Sequence, residues 1–184
     1  MKSILKYAVC GAVIAFSLAA GNTAGAAEVE KIPAVRLRIQ LDAQRNRVWL
    51  LTDEGVAIYD AAAPDKVLRV PVPGWQFAGE PYGRLPDLAL GPKGEAVISS
   101  DVVPVLWRVD PKSLAVTRHE LQLDADADKD VGFTVLTYLP EQGEFLAVSG
   151  LHGTVWRIDG QLLQAHRMSR QESRWKSCSA RAPS

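Results

Sequence analysis

The chain has 184 residues, of which 47% are apolar, with 21 basic and 21 acidic side chains, 11 Pro, 14 Gly and 2 Cys. That balance is too apolar for an intrinsically disordered chain and too poor in cysteine for a disulfide scaffold. Setting aside two lysines near the start (Lys2 and Lys6) and five Lys/Arg beyond position 166 leaves 14 basic against 20 acidic residues, a net of −6 that excludes the basic stripe of a nucleic-acid binder.

Residues 1–26 read as a secretory signal peptide. Lys2 and Lys6 make a basic start, and Tyr7 to Ala20 is an apolar run shorter than the roughly 20 residues that span a bilayer. Ala24-Gly25-Ala26 supplies the small residues at which a peptidase cuts, so cleavage is expected before Ala27, with an uncleaved anchor as the alternative. Cys10 lies before the apolar run ends, which argues against a lipoprotein site. The expectation is a periplasmic or secreted protein without stable membrane insertion after cleavage. Cys178 is then the only thiol; an intrachain disulfide and a cysteine metal cluster are both excluded, while pairing with another chain stays open.

The body, 27–168, repeats. Leu41, Leu90 and Leu139 stand 49 residues apart, and each closes an alternating segment before a polar turn: Asp42-Ala-Gln-Arg-Asn46, Gly91-Pro-Lys-Gly94 and Pro140-Glu-Gln-Gly143. An apolar strand follows each turn, at Val48 to Leu51, Ala96 to Ser99 and Phe145 to Val148. A third strand then runs into an aspartate, at Val56 to Asp60, Leu106 to Asp110 and Val155 to Asp159. The fourth strands are expected at 67–70, 114–121 and 161–167. Four short antiparallel strands at this period are the mark of β-propeller blades, here about 34–71, 85–121 and 133–167. An all-β sandwich competes, but it has no reason to repeat its turns every 49 residues.

The turn Gly91-Pro-Lys-Gly94 with its following strand, and the segment Leu106-Trp-Arg-Val-Asp110-Pro-Lys-Ser-Leu114, resemble the propeller superfamily with YVTN-type repeats, relatives of the propeller subunits of quinoprotein amine dehydrogenases. The resemblance runs from Val35 to Met168 and implies a fold rather than an activity, since that superfamily hosts binding proteins, hydrolases and oxidoreductases. Closed propellers need about four to eight blades. Three blades leave two flanks uncovered, so either self-association or a shortened relative of a larger propeller is expected. The segment 169–184 is basic and carries no strand pattern, as a disordered tail or a prematurely ended frame would.

Strand parity places the aspartates Asp60, Asp110 and Asp159 at tight turns on one face, where turn capping is their expected role. The longer connections fall on the opposite face. They carry Trp75, Glu80, Tyr82, Arg84, Asp101 and His152, the candidate ligand-binding residues. Asp124, Asp126, Asp128 and Asp130 form the one candidate cation set, for calcium; against it, Lys129 stands where an EF-hand loop needs glycine and Val135 where it needs glutamate. No catalytic residue is assigned: a nucleophile elbow, a Walker loop, a dinucleotide fingerprint and a zinc-protease helix are all missing from the sequence. The expected protein is a non-enzymatic binding or interaction module, without a resident cofactor, that holds a protein or small-molecule partner or a second copy of itself. The alternatives are a propeller-type enzyme, either a calcium-dependent hydrolase or a quinoprotein-linked oxidoreductase, and a truncated remnant with no activity of its own.

Overall fold

The computed structural model describes residues 36–169 apart from 64, 79–83, 126, 128 and 129. The expected leader and tail lie outside the described residues. Within them the protein is all β, and no helix is long and apolar enough to cross a membrane. Three antiparallel sheets follow one another along the chain. The first contains β1 (Arg36–Asp42), β2 (Arg47–Thr52), β3 (Gly55–Asp60) and β4 (Val67–Val70) in sequence order. The second contains β5 (Leu88–Leu90), β6 (Ala96–Ile98), β7 (Val105–Val109) and β8 (Val116–Glu120). The third contains β10 (Val135–Leu139), β11 (Glu144–Ser149), β12 (Thr154–Ile158) and β13 (Gln164–Arg167), with a short fifth strand, β9 (Gln122–Leu123), added parallel to β13.

Turn chemistry explains where the strands stop. The first hairpins of the three sheets each end on a left-handed residue, Asn46 (φ 53°), Gly94 (φ 80°) and Gly143 (φ 68°), the conformation that asparagine and glycine adopt at least cost. The three expected capping aspartates do cap. Asp60 accepts from Ala62 N (2.9 Å), Asp110 from Lys112 N (2.9 Å) and Ser113 N (2.7 Å), and Asp159 from Gln161 N (2.7 Å) and Leu163 N (3.0 Å). In the second and third sheets the cap forces a leucine, Leu114 or Leu162, into the left-handed region at φ 58° and 60°. Such a residue is strained by roughly 1–3 kcal/mol. Burial offsets the strain: Leu162 is wholly buried and Leu114 packs against the core of the first two sheets.

Two cores hold the sheets together. Trp49, Leu51, Val56 and Ile58 of the first sheet meet Leu88, Ile98, Val105 and Trp107 of the second. The other face of the second sheet, with Ala89, Val97 and Leu106, meets Leu136, Phe145, Trp156 and Ile158 of the third. The middle strand β6 is therefore buried at every residue, whereas β11 alternates buried and half-buried. On the outward side of the first sheet Ile39 and Leu41 are 57% and 67% exposed, and the outward side of the third carries Leu146 and Val148 with Val135.

The 49-residue repeat of leucines is a repeat of sequence and not of register. Leu41 pairs with Val48, Leu90 with Ala96 and Leu139 with Glu144, so the intervening segment shortens from six residues to five to four. The leucines also meet different surroundings: Leu90 packs against the core that the first sheet covers, while Leu41 stands on the uncovered outward side of the first sheet.

The inner strands meet at Asp87. Its carboxylate, in a residue only 7% exposed, accepts from Leu88 N (2.8 Å), from Leu136 N of the third sheet (2.9 Å) and from Arg38 Nε of the first (3.0 Å). One side chain thus ties all three sheets. A buried carboxylate stripped of such donors costs more than an ordinary hydrogen bond. Asp87→Ala is expected to destabilise the fold by about 2–4 kcal/mol, and Arg38→Ala by less, because Arg38 is half exposed and the backbone donors remain. Urea denaturation followed by tryptophan fluorescence measures both.

Candidate binding face

The chain between the first and second sheets crosses one face of the molecule and is fastened there by the tripeptide Ser99-Ser100-Asp101. Ser99, fully buried, accepts from Asp87 N (2.8 Å) and donates its hydroxyl to the carbonyl of Phe133 (2.7 Å), at the start of the third sheet. The Ser100 hydroxyl donates to Gln76 O (2.6 Å) and accepts from Val102 N and Val103 N (3.2 Å each). Both Asp101 carboxylate oxygens accept from Ala78 N, at 3.0 and 3.2 Å. The return connector presses so closely against this turn that a Cβ on Gly132 would lie 2.1 Å from the Asp101 carbonyl carbon, so only glycine fits.

Of the six expected binding residues, the structure gathers some and redirects others. Trp75 is half-buried: its indole donates to Ser99 O (2.9 Å), and its ring lies 4.6 Å from that of Phe77. It supports the face from beneath rather than lining it. Arg84 and Asp101 line an open cleft of about 390 Å³ together with Ala78, Val102, Asp130 and Leu151. His152 joins through Asp130, with Nε2 3.2 Å from the carboxylate. Glu80 and Tyr82 lie outside the described residues. The apolar part of the lining, Val102 and Leu151, carries no sequence signal beyond its place in short loops.

The aspartate run divides. Asp130 belongs to this cleft, whereas Asp124 accepts from His166 Nδ1 (2.9 Å) and from Arg167 N (2.6 Å) and so fastens β9 beside β13. The Arg167 N–H, and then His166, hold the Asp124 carboxyl below the usual carboxylate range. Asp126 and Asp128 lie outside the described residues, and among the described residues no three His, Cys, Asp or Glu side chains gather as metal ligands.

No family model matches the chain, and no curated protein does. Solved structures do. Virginiamycin B lyase from Staphylococcus aureus superposes with a TM-score of 0.53 at 12% identity over 73% of this chain and 41% of its own. Dihydro-heme d1 dehydrogenase NirN gives 0.54 at 14% identity over 73% and 28%. Both are β-propellers. Three blades of a β-propeller are what this chain folds into. The extracellular domain of a putative one-component system from B. thetaiotaomicron also superposes, with a TM-score of 0.50 at 15% identity over 74% of this chain and 16% of that one. The chain therefore spans less than half the length of each of these structures, and at such identities the likeness is one of fold. The β-propeller fold that the sequence resemblance implied is the fold these structures share.

Protonation couples to this architecture in two windows. Partial burial, and then the nearby Arg108 guanidinium, lower the pKa of His119 on β8 from 6.5, with Asp159 opposing. The folded state then binds fewer protons than the unfolded chain below pH 6.5, so stability falls as the pH drops through that point. Backbone donors lower the carboxyls of Asp60, Asp110 and Asp124 from 3.8, so their contribution is present above 3.8 and is lost as acid drives the pH down through their folded values. The melting temperature is expected to be highest above pH 6.5 and to decline in two stages. His119→Leu should flatten the upper stage only, as calorimetry across pH would show.

Proposed function

We propose that the protein is an exported, non-enzymatic binding module that holds a protein or small-molecule partner on the connector face of its blades. The supporting observation is the use of the polar groups there. The two serine hydroxyls and the Asp101 carboxylate are engaged by main-chain groups, while Arg84, Asp130 and Leu151 line an open cleft of mixed polarity. Rigid sheets carrying loops on one face are a common platform for recognition. The partner is not a nucleic acid, given the acidic body, and no resident cofactor is required.

Two measurements test this reading. In capture from periplasmic extract, the double variant Arg84→Glu, Leu151→Asp should lose the partner while melting like the wild type; turnover of a small substrate by the purified chain would overturn the proposal. Calcium at 100 times a dissociation constant would add about 2.7 kcal/mol of stability. No calcium-dependent rise in melting temperature is expected, and such a rise would favour a calcium-dependent enzyme.

The outward sides of the end blades support self-association as well. Ile39 and Leu41 on one and Val135, Leu146 and Val148 on the other stand where a closed ring would bury them. Leaving apolar area wet forgoes roughly 25 cal/mol for each Å². Light scattering at micromolar concentration should report a dimer or larger species. A stable monomer with a cooperative melt would show that three blades suffice.

A further inference from the structure

The larger hollow lies on the opposite face, among the capped turns. A cleft of about 520 Å³ opens between the first and second blades, lined by Arg45, Lys93, Glu95, Arg108, Asp110 and Lys112 beside Pro111. A second, of about 250 Å³, continues it toward the third blade past Tyr138, Gly143 and Gly160, and the two share Lys93, Glu95 and Arg108. Together they form one trough across all three blades.

The charges along this trough are unevenly matched. The Glu95 carboxylate is turned back to Lys93 N (2.8 Å), and that of Asp110 caps Lys112 N and Ser113 N. Arg45 is paired with the buried Asp42 at 3.2 Å. Arg108 donates Nη2 to the carbonyl of Gly160 (2.8 Å), and its buried Nε has no acceptor. Among the described residues Lys93, Lys112 and Arg108 form no ion pair, although the Lys112 charge acts on the Asp110 carboxyl. Arg45, Lys93, Arg108 and Lys112 thus outnumber the carboxylates of Glu95 and Asp110 along one concave strip of an otherwise acidic body. Such an arrangement concentrates anions, and a concave wall strengthens the field over that of scattered surface lysines.

We propose that this trough is a binding site for a small multivalent anion, a single molecule carrying two or more carboxylate or phosphate groups that bridge Lys93, Arg108 and Lys112. The site is separate from the connector face and does not depend on its function. Titration calorimetry of the purified chain at low ionic strength, with citrate and with pyrophosphate as probes, tests it. Saturable binding of citrate alone, of pyrophosphate alone or of both supports the site and assigns the preferred group. The double variant Lys93→Ala, Lys112→Ala should weaken binding about tenfold or more, and raised salt should weaken it too. Lys66→Ala, at an exposed position not lining the trough, should leave it unchanged. Absence of binding by either probe up to about 10 mM, or equal affinity in the double variant, would overturn the proposal.

Discussion

Asp87 sets the geometry on which both faces depend. Its carboxylate accepts one donor from its own strand, one from the backbone of the third blade and one from an arginine of the first. Its backbone N–H donates to the Ser99 hydroxyl, which in turn donates to Phe133 O. The same short stretch therefore fixes how the inner strands approach each other and how the connectors cross the top of the blades. A buried carboxylate is tolerated only where its lone pairs are met by donors, and three blades are needed to supply them. The interaction is a constraint as much as a gain: the sheets cannot slide without stranding a charge.

Much of the fold was legible because the period of the turns is a local property. Asp60, Asp110 and Asp159 announce three hairpins through side chains that bond a few residues away, and the aromatic and branched strands between them need little else. Register was not legible in the same way. The spacing of Leu41, Leu90 and Leu139 suggested equivalent positions, yet turns of different length move them onto different rungs. The strand β9 was hidden for a related reason: two residues, Gln122 and Leu123, become a strand only because the outer edge of the third blade is there to pair with them.

The candidate face was legible as a place but not as a set of contacts. Parity alone put Arg84, Asp101 and His152 on one side, and the cleft there contains or adjoins each of them. What parity does not reveal is that Asp101 and Trp75 bond to main-chain atoms of the neighbouring connectors. Those partners lie more than twenty residues away. Asp124 and Asp130, neighbours in an alternating acidic run, separate for the same reason, one to the edge of the third blade and the other to His152.

The two faces then differ in kind. On the connector face the loops are long and their polar groups are largely engaged by backbone, so the cleft between them owes its shape to the Ser99-Ser100-Asp101 fastening. On the turn face the loops are short, and their aspartates cap turn amides while staying charged, so that Asp110 lines the trough beside the lysines and Arg108. Capping does not consume a carboxylate's charge: Asp60 accepts from Ala62 N and still pairs with Arg47 at 3.2 Å. The positive excess of the trough comes from the residues its turns carry, with Arg45, Lys93, Arg108 and Lys112 set against Glu95 and Asp110. A local surplus of cations in one concave strip attracts anions even where the body is acidic overall.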